Sequence, residues 1–244
     1  MAQNIHNASG FQLRAANDRG MADHGWLKSA HSFSFANYYD PKHMQFESLR
    51  VINDDRVAGG KGFPMHAHQN AEIFSYVLDG ALSHKDTLGN GSTVKAGGVQ
   101  YMSAGSGVQH SEFNPSETDE TAFLQIWLLP NVQNEAPRYE TMDITSEDKD
   151  GQLKLFLSKD GRKGSMQIKA EADIYAATLN GEQEIGFDIP LGHKAWVQVA
   201  TGSVSVNGQL LSQGDGLAVT KAGRLTFKSG TDAEFLLFDL ETIT

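Results

Sequence analysis

The 244-residue sequence contains no cysteine. Disulfides, thiolate metal ligands and a cysteine nucleophile are therefore excluded, and any metal must be held by nitrogen and oxygen. A basic run or stripe is also missing: 30 Asp and Glu stand against 20 Lys and Arg, a formal net charge of -10. With no such patch to neutralise phosphates, direct nucleic-acid contact and anionic membrane surfaces are poor partners. No window approaches the roughly 18 apolar residues of a membrane-spanning helix. The opening "MAQNIHNASGFQLRAANDRG" lacks the apolar segment of an export signal. The expectation is a soluble, cytoplasmic protein. Long stretches of helical period are absent too. Apolar residues come in short runs and glycine is abundant, 25 of 244, which favours a sheet-rich fold with many tight turns.

Strand-like segments recur with turn residues between them: "SLRVIND", "EIFSYVLDG", "GGVQYMSAGSG", "AFLQIWLLP", "WVQVATGSVSVNG", "GLAVTKAG", "LTFKSG" and "EFLLFDL". This pattern predicts antiparallel strands in a sandwich or barrel. "TLGNGS", residues 87–92, reads as a hairpin turn. Residues 131–151 form a polar segment without apolar period, which predicts two domains, 1–135 and 136–244. The halves resemble each other: "YVLDGALSHKD" with "VKAGGVQYM" parallels "VQVATGSVSVNG" with "LSQGDGLAV". Two copies of one β-barrel unit is the economical reading.

The chemistry concentrates in two short motifs. In "PMHAHQNAEIF" His66 and His68 stand at i and i+2, on one face of a strand, so both can reach one ion. In "GSGVQHSEFN" His110 and Glu112 repeat that spacing. Two such strands paired in one barrel would set three imidazoles and a carboxylate around a metal, leaving two positions of an octahedron open. Open positions mark catalytic rather than structural coordination. Sulfur-free ligands of this kind suit iron(II), manganese, nickel, cobalt or zinc. Glu112 could also take the proton of an acidic substrate hydroxyl.

"GKGFPMHAHQNAEIFSYVLDG" and "AGGVQYMSAGSGVQHSEFNP" resemble the two cupin motifs as the pirin family carries them. "HGWLKSAHSFSFANYYDP" and "LRVINDD" upstream, with "GLAVTKAGRLTF" and "LLFDL" downstream, extend the likeness over almost the whole chain. The resemblance is to the bacterial, quercetinase-like branch of that family. It implies an all-β bicupin, two antiparallel barrels packed together, with one divalent metal in the N-terminal barrel held by His66, His68, His110 and Glu112. Iron(II) is the first expectation; nickel, cobalt, manganese, zinc and copper are alternatives. The C-terminal barrel has only His193 and reads as a degenerate, metal-free cupin that packs on the first and closes one side of the site. Residues 1–12 look like an extension to the family pattern.

The common cupin motif places its glutamate five residues after the second histidine, where this chain has Ile73. The acid sits at Glu72, one position earlier. A one-residue shift turns a strand side chain to the other face, so Glu72 is expected to point away from the metal. His31, Phe33, Phe35, Tyr38 and Tyr39 crowd one stretch and either line an apolar pocket for a flat ring or belong to the core. His24 and Trp26 are similarly open. His84 is expected to make a turn or strand hydrogen bond, and Asp54 and Asp55 to be a turn pair. Functionally the resemblance implies a metal-dependent dioxygenase that opens the heterocyclic ring of flavonols, with dioxygen as co-substrate, Glu112 as proton acceptor and carbon monoxide released. The alternative is a metal-bearing regulatory protein acting through protein partners. A sugar-phosphate isomerase lacks support, because no basic cluster lies near the motifs.

Overall fold

The computed structural model describes residues 10–243. Among them the strands form three sheets, of nine, seven and four strands. The first barrel is a sandwich. Its larger sheet runs in the order Arg138–Asp143, Gly98–Ser103, Glu72–Asp79, Thr121–Leu128, Leu49–Val57, Leu27–His31, Gly20–Asp23. Its smaller sheet runs Gly62–His68, Val108–Phe113, Ala81–Asp86, Gly91–Lys95. The second barrel is built from the nine-stranded sheet, whose longest members are His193–Val206 and Gly223–Glu241. No described helix is long and apolar enough to cross a membrane.

Alternation along the seven-stranded sheet separates two environments. Phe74 and Tyr76 join Tyr101, Ile126, Phe156, Ile174, Trp196 and Phe238 in a core shared with the nine-stranded sheet. Val77, on the opposite parity, packs inside the first barrel with Val57, Leu82 and Phe123. At roughly 1.5–3 kcal/mol for each buried large apolar side chain, the shared core is what joins the barrels. Glu72 has the parity of Phe74 and follows it to the interface. Its carboxylate accepts hydrogen bonds from Tyr101 Oη, from Ser103 Oγ at 2.6 Å and from the Lys169 backbone N–H at 3.0 Å.

The internal likeness appears in the backbone. Gly80, between strands Glu72–Asp79 and Ala81–Asp86, and Gly202, inside strand His193–Val206, have φ of 72° and 63°, and Gly97 and Gly214 both have φ of 85°. Positive φ favours glycine, which explains why these positions keep it in both halves. The turn at residues 87–92 joins two antiparallel strands, with Asp86 Oδ1 accepting from the Leu88 and Asn90 N–H groups.

Three expectations need adjustment. Strand Arg138–Asp143 pairs with Gly98–Ser103, and Phe11–Arg14 pairs with Gly216–Val219 of the second barrel. The sheets therefore divide after Asp143 rather than at 135/136, and the N-terminal segment crosses to the far barrel. "LTFKSG" and "EFLLFDL" belong to one strand, Gly223–Glu241, which bends so that its two halves pair with Glu184–Ile189 and Ala172–Leu179. Asp54 and Asp55 are not a turn pair. They lie inside strand Leu49–Val57, and Asp55 is buried. Residues 1–9, part of the N-terminal extension, lie outside the described residues.

Candidate metal centre and its cavity

The two histidine motifs fall on adjacent antiparallel strands. His66 sits directly opposite His110, and His68 opposite Val108. A bulge follows: Glu112 pairs with Phe63, so Pro64 and Met65 stand against Ser111 alone. Proline has no N–H to give to the ladder, which suits it to that irregular position. The three imidazole centroids lie 4.5, 4.7 and 4.9 Å apart, and one ring nitrogen from each falls within 4.8 Å of the others.

Hydrogen bonds fix the tautomers of His66 and His110. His66 Nδ1 donates to the Pro64 carbonyl at 2.7 Å, which leaves Nε2 with its lone pair. Asp86 Oδ2 lies 3.2 Å from His84 Nε2, so that nitrogen carries the proton and His84 Nδ1 is bare. His84 Nδ1, 3.3 Å from His110 Nδ1, then accepts from it, and His110 Nε2 is left as a lone pair. Both His68 Nε2 and His110 Nε2 are buried without a hydrogen-bond partner. Burial pulls His68 down to about 4, helped by His66. His110 is held down to about 2 by burial and its histidine neighbours. Neutral imidazoles with inward lone pairs are the form that binds metal. Two orphaned buried nitrogens beside a third are otherwise costly. This donor set fits a divalent transition metal.

Glu112 stands slightly apart. Its oxygens group within 4.8 Å of ligand atoms of His84 and His110, not with the His66–His68–His110 set. The carboxylate is buried and takes hydrogen bonds from Ser75 Oγ at 3.1 Å, Gln125 Nε2 at 2.9 Å and Gln100 Nε2. Burial raises its pKa, against the pull of these donors and of His66. The donors belong to one row across the seven-stranded sheet, since His31, Asn53, Gln125, Ser75 and Gln100 pair successively from strand to strand. A polar rung thus crosses the sheet.

His66, Glu112 and Gln125 open onto a cavity of about 420 Å³ whose other walls include Phe63, Phe35 and Tyr38. His31 and His24 also line it. Phe33 does not: it packs on Trp196 in the shared core. Tyr39 is 72% exposed, and Trp26 stacks edge-on against Phe63. All cavity residues belong to the first barrel, so the second barrel does not close the site as expected. It packs on the opposite face of the sheet. His193 there hydrogen-bonds Asp239 at 2.9 Å.

The same two-barrel architecture occurs in solved structures. A family model described as Pirin matches residues 12–128, and one described as quercetinase C-terminal cupin domain matches residues 155–240. The quercetin 2,3-dioxygenase of Escherichia coli K12 is 43% identical over 231 residues, 95% of this chain and 99% of that one. The chain belongs to the pirin family. A pirin-like protein of Caulobacter vibrioides is 39% identical over 90% of this chain and 95% of its own length. The crystal structure of the E. coli bacterial pirin YhhW in complex with nickel(II) superposes with a TM-score of 0.91 at 43% identity, covering 96% of this chain and all of that one. The architecture is therefore that of a bicupin, as the resemblance implied.

Several residues of this pirin-family site were not singled out by sequence. His84 was given only a local hydrogen bond, yet it joins Asp86 to His110 and stacks on Tyr139, centroids 4.0 Å apart. Trp127 sets its ring edge-on to His68 at 4.8 Å, with a buried, unpaired Nε1. Ser75, Gln100 and Gln125 interrupt the apolar runs "IFSYV", "GVQYM" and "FLQIWL", and that single polar residue per run is the signal that could have found them.

Proposed function

We propose that this protein is a metal-dependent dioxygenase acting on flavonols, and that His66, His68, His110 and Glu112 serve its metal. One observation carries the reading: three imidazoles, each with a ring nitrogen within 4.8 Å of the other two, converge beside an aromatic-walled cavity of about 420 Å³. A cavity of that size suits a drug-sized ring system. The likeness to proteins named quercetin 2,3-dioxygenase supports the same substrate class. Bound there, a divalent metal would supply Lewis acidity to a substrate oxygen and a place for dioxygen.

The chain's own groups do the rest. Phe35, Phe63 and Tyr38 hold the flat rings and keep water out. Glu112, buried with its pKa raised, takes the proton of the flavonol 3-hydroxyl. Gln100 and Gln125 hold the carboxylate in place while its charge changes. Asp86 and His84 keep His110 in the tautomer that faces the cavity side. Dioxygen is the oxidant: two ring carbon–carbon bonds break, both oxygen atoms enter the depside product, and one carbon leaves as carbon monoxide. Protein loaded with iron(II), nickel(II), cobalt(II) or manganese(II) should consume oxygen and bleach quercetin. No uptake with any of these metals would refute the reading.

A further inference from the structure

The cavity has a second polar wall that the metal-centre reading does not use. Two neighbouring strands build it. Ser29 faces Asp55 and His31 faces Asn53 in direct cross-strand register, and all four line the cavity. Internal hydrogen bonds orient each group. Ser29 Oγ has a single hydrogen and gives it to Asp55 Oδ1. His31 Nδ1 lies 2.8 Å from Asn53 Oδ1. An amide oxygen only accepts, so Nδ1 carries the proton and His31 Nε2 is a bare acceptor.

Three atoms remain without a hydrogen-bond partner among the described residues: His31 Nε2, Asn53 Nδ2 and Asp55 Oδ2. None is among the sealed unpaired atoms, so each opens to the cavity. The residues themselves are 4%, 3% and 3% exposed. Buried polar groups are ordinarily paired, and three open ones on one wall mark a place that a ligand completes. The wall offers an acceptor, a donor and a carboxyl side by side, with Phe35 and Tyr38 flanking His31 at 5.5 and 6.3 Å between ring centroids. A phenolic hydroxyl donates one hydrogen bond and accepts another in its ring plane, which matches this set. Two strand spacings separate His31 from Gln125 along the rung, about 10 Å. A single ring held at Glu112 is too short to reach across.

We propose that His31, Asn53 and Asp55 form a subsite for a phenolic hydroxyl at the far end of an aromatic ligand of two or more rings, whose near end sits against Glu112 and His66. The proposal rests on the dioxygenase reading for which end of the ligand reacts. Asp55 is pushed up to about 7, chiefly by burial, so it can present an O–H to the ligand near neutral pH.

The test is anaerobic titration of the metal-loaded full chain with quercetin and with 3-hydroxyflavone, which keeps the reacting hydroxyl and lacks the others. The wild type should bind quercetin at least about tenfold more tightly, the worth of one or two hydrogen bonds. Asp55→Leu and His31→Phe should bring that ratio close to one by weakening quercetin alone. Asp55→Asn, which keeps a donor and the bond from Ser29, should retain most of it. If Asp55→Leu does not fold, His31→Phe reads the same ratio. A ratio near one in the wild type, or equal weakening of both ligands in the variants, overturns the subsite. Oxygen uptake on the same samples separates the two ideas. The expected ratios without uptake sustain the subsite and refute the dioxygenase, uptake with a ratio near one refutes the subsite alone, and binding of neither flavonol refutes both.

Discussion

Asp55→Asn is the perturbation whose magnitude the structure sets most directly. The carboxyl is buried, is raised from the ordinary 3.8 to about 7, and faces Ser29 on the next strand. Burial is the main cause; Ser29 opposes it, while Asp54 and Glu112 add to it. Folded protein keeps this proton up to about pH 7, whereas the unfolded chain releases it near 3.8. Between those values the folded state binds more protons, so stability falls as pH rises. The contribution is complete below the unfolded value and lost on passing the folded one. A difference of about 3 pH units corresponds to about 4 kcal/mol. Roughly 3 kcal/mol of this falls between about pH 5 and about pH 8. Asparagine fills the same space and cannot ionise. Urea unfolding of both proteins at those two pH values isolates the effect, because groups common to both cancel in the difference. The variant should gain about 3 kcal/mol on the wild type as pH rises. A change below about 1 kcal/mol would refute the reasoning, since Asp55 would then ionise as easily folded as unfolded.

The remaining predictions concern the groups around the centre. Glu72→Gln should cost about 1–3 kcal/mol of stability, because one of its three donors would face an amide N–H₂, yet leave metal content unchanged by elemental analysis. Glu112→Gln, whose three donors carry the same cost, should differ in the metal: lower retention by elemental analysis and no oxygen uptake. His84→Ala frees His110 to adopt the other tautomer and should weaken metal binding about 10- to 100-fold in a competition titration with a chromophoric chelator.

Much of this architecture is legible in the sequence because the decisive signals are local. The His66–His68 and His110–Glu112 spacings place each pair on one strand face, and the parity of Glu72 sends it to the barrel interface. What is not legible depends on register between strands distant in sequence. Asp86 accepts from the turn that follows it, and the same carboxylate sets the tautomers of His84 and His110. Asp55 reads as a turn residue because "NDD" suggests that the strand ends there. The strand in fact runs to Val57, and Ser29 opposite makes the buried carboxyl tolerable. The rung from His31 to Gln100 exists only after five strands are aligned. Nothing local tells Phe11–Arg14 to pair in the far barrel.

Three imidazoles and Glu112 are proposed to hold one divalent metal in the first barrel. Elemental analysis of the wild type and of His110→Ala, each loaded with nickel(II) and then desalted, tests it most directly. One metal per chain is expected in the wild type and almost none in the variant. A wild type that retains no metal, or a variant that retains a full equivalent, would contradict it.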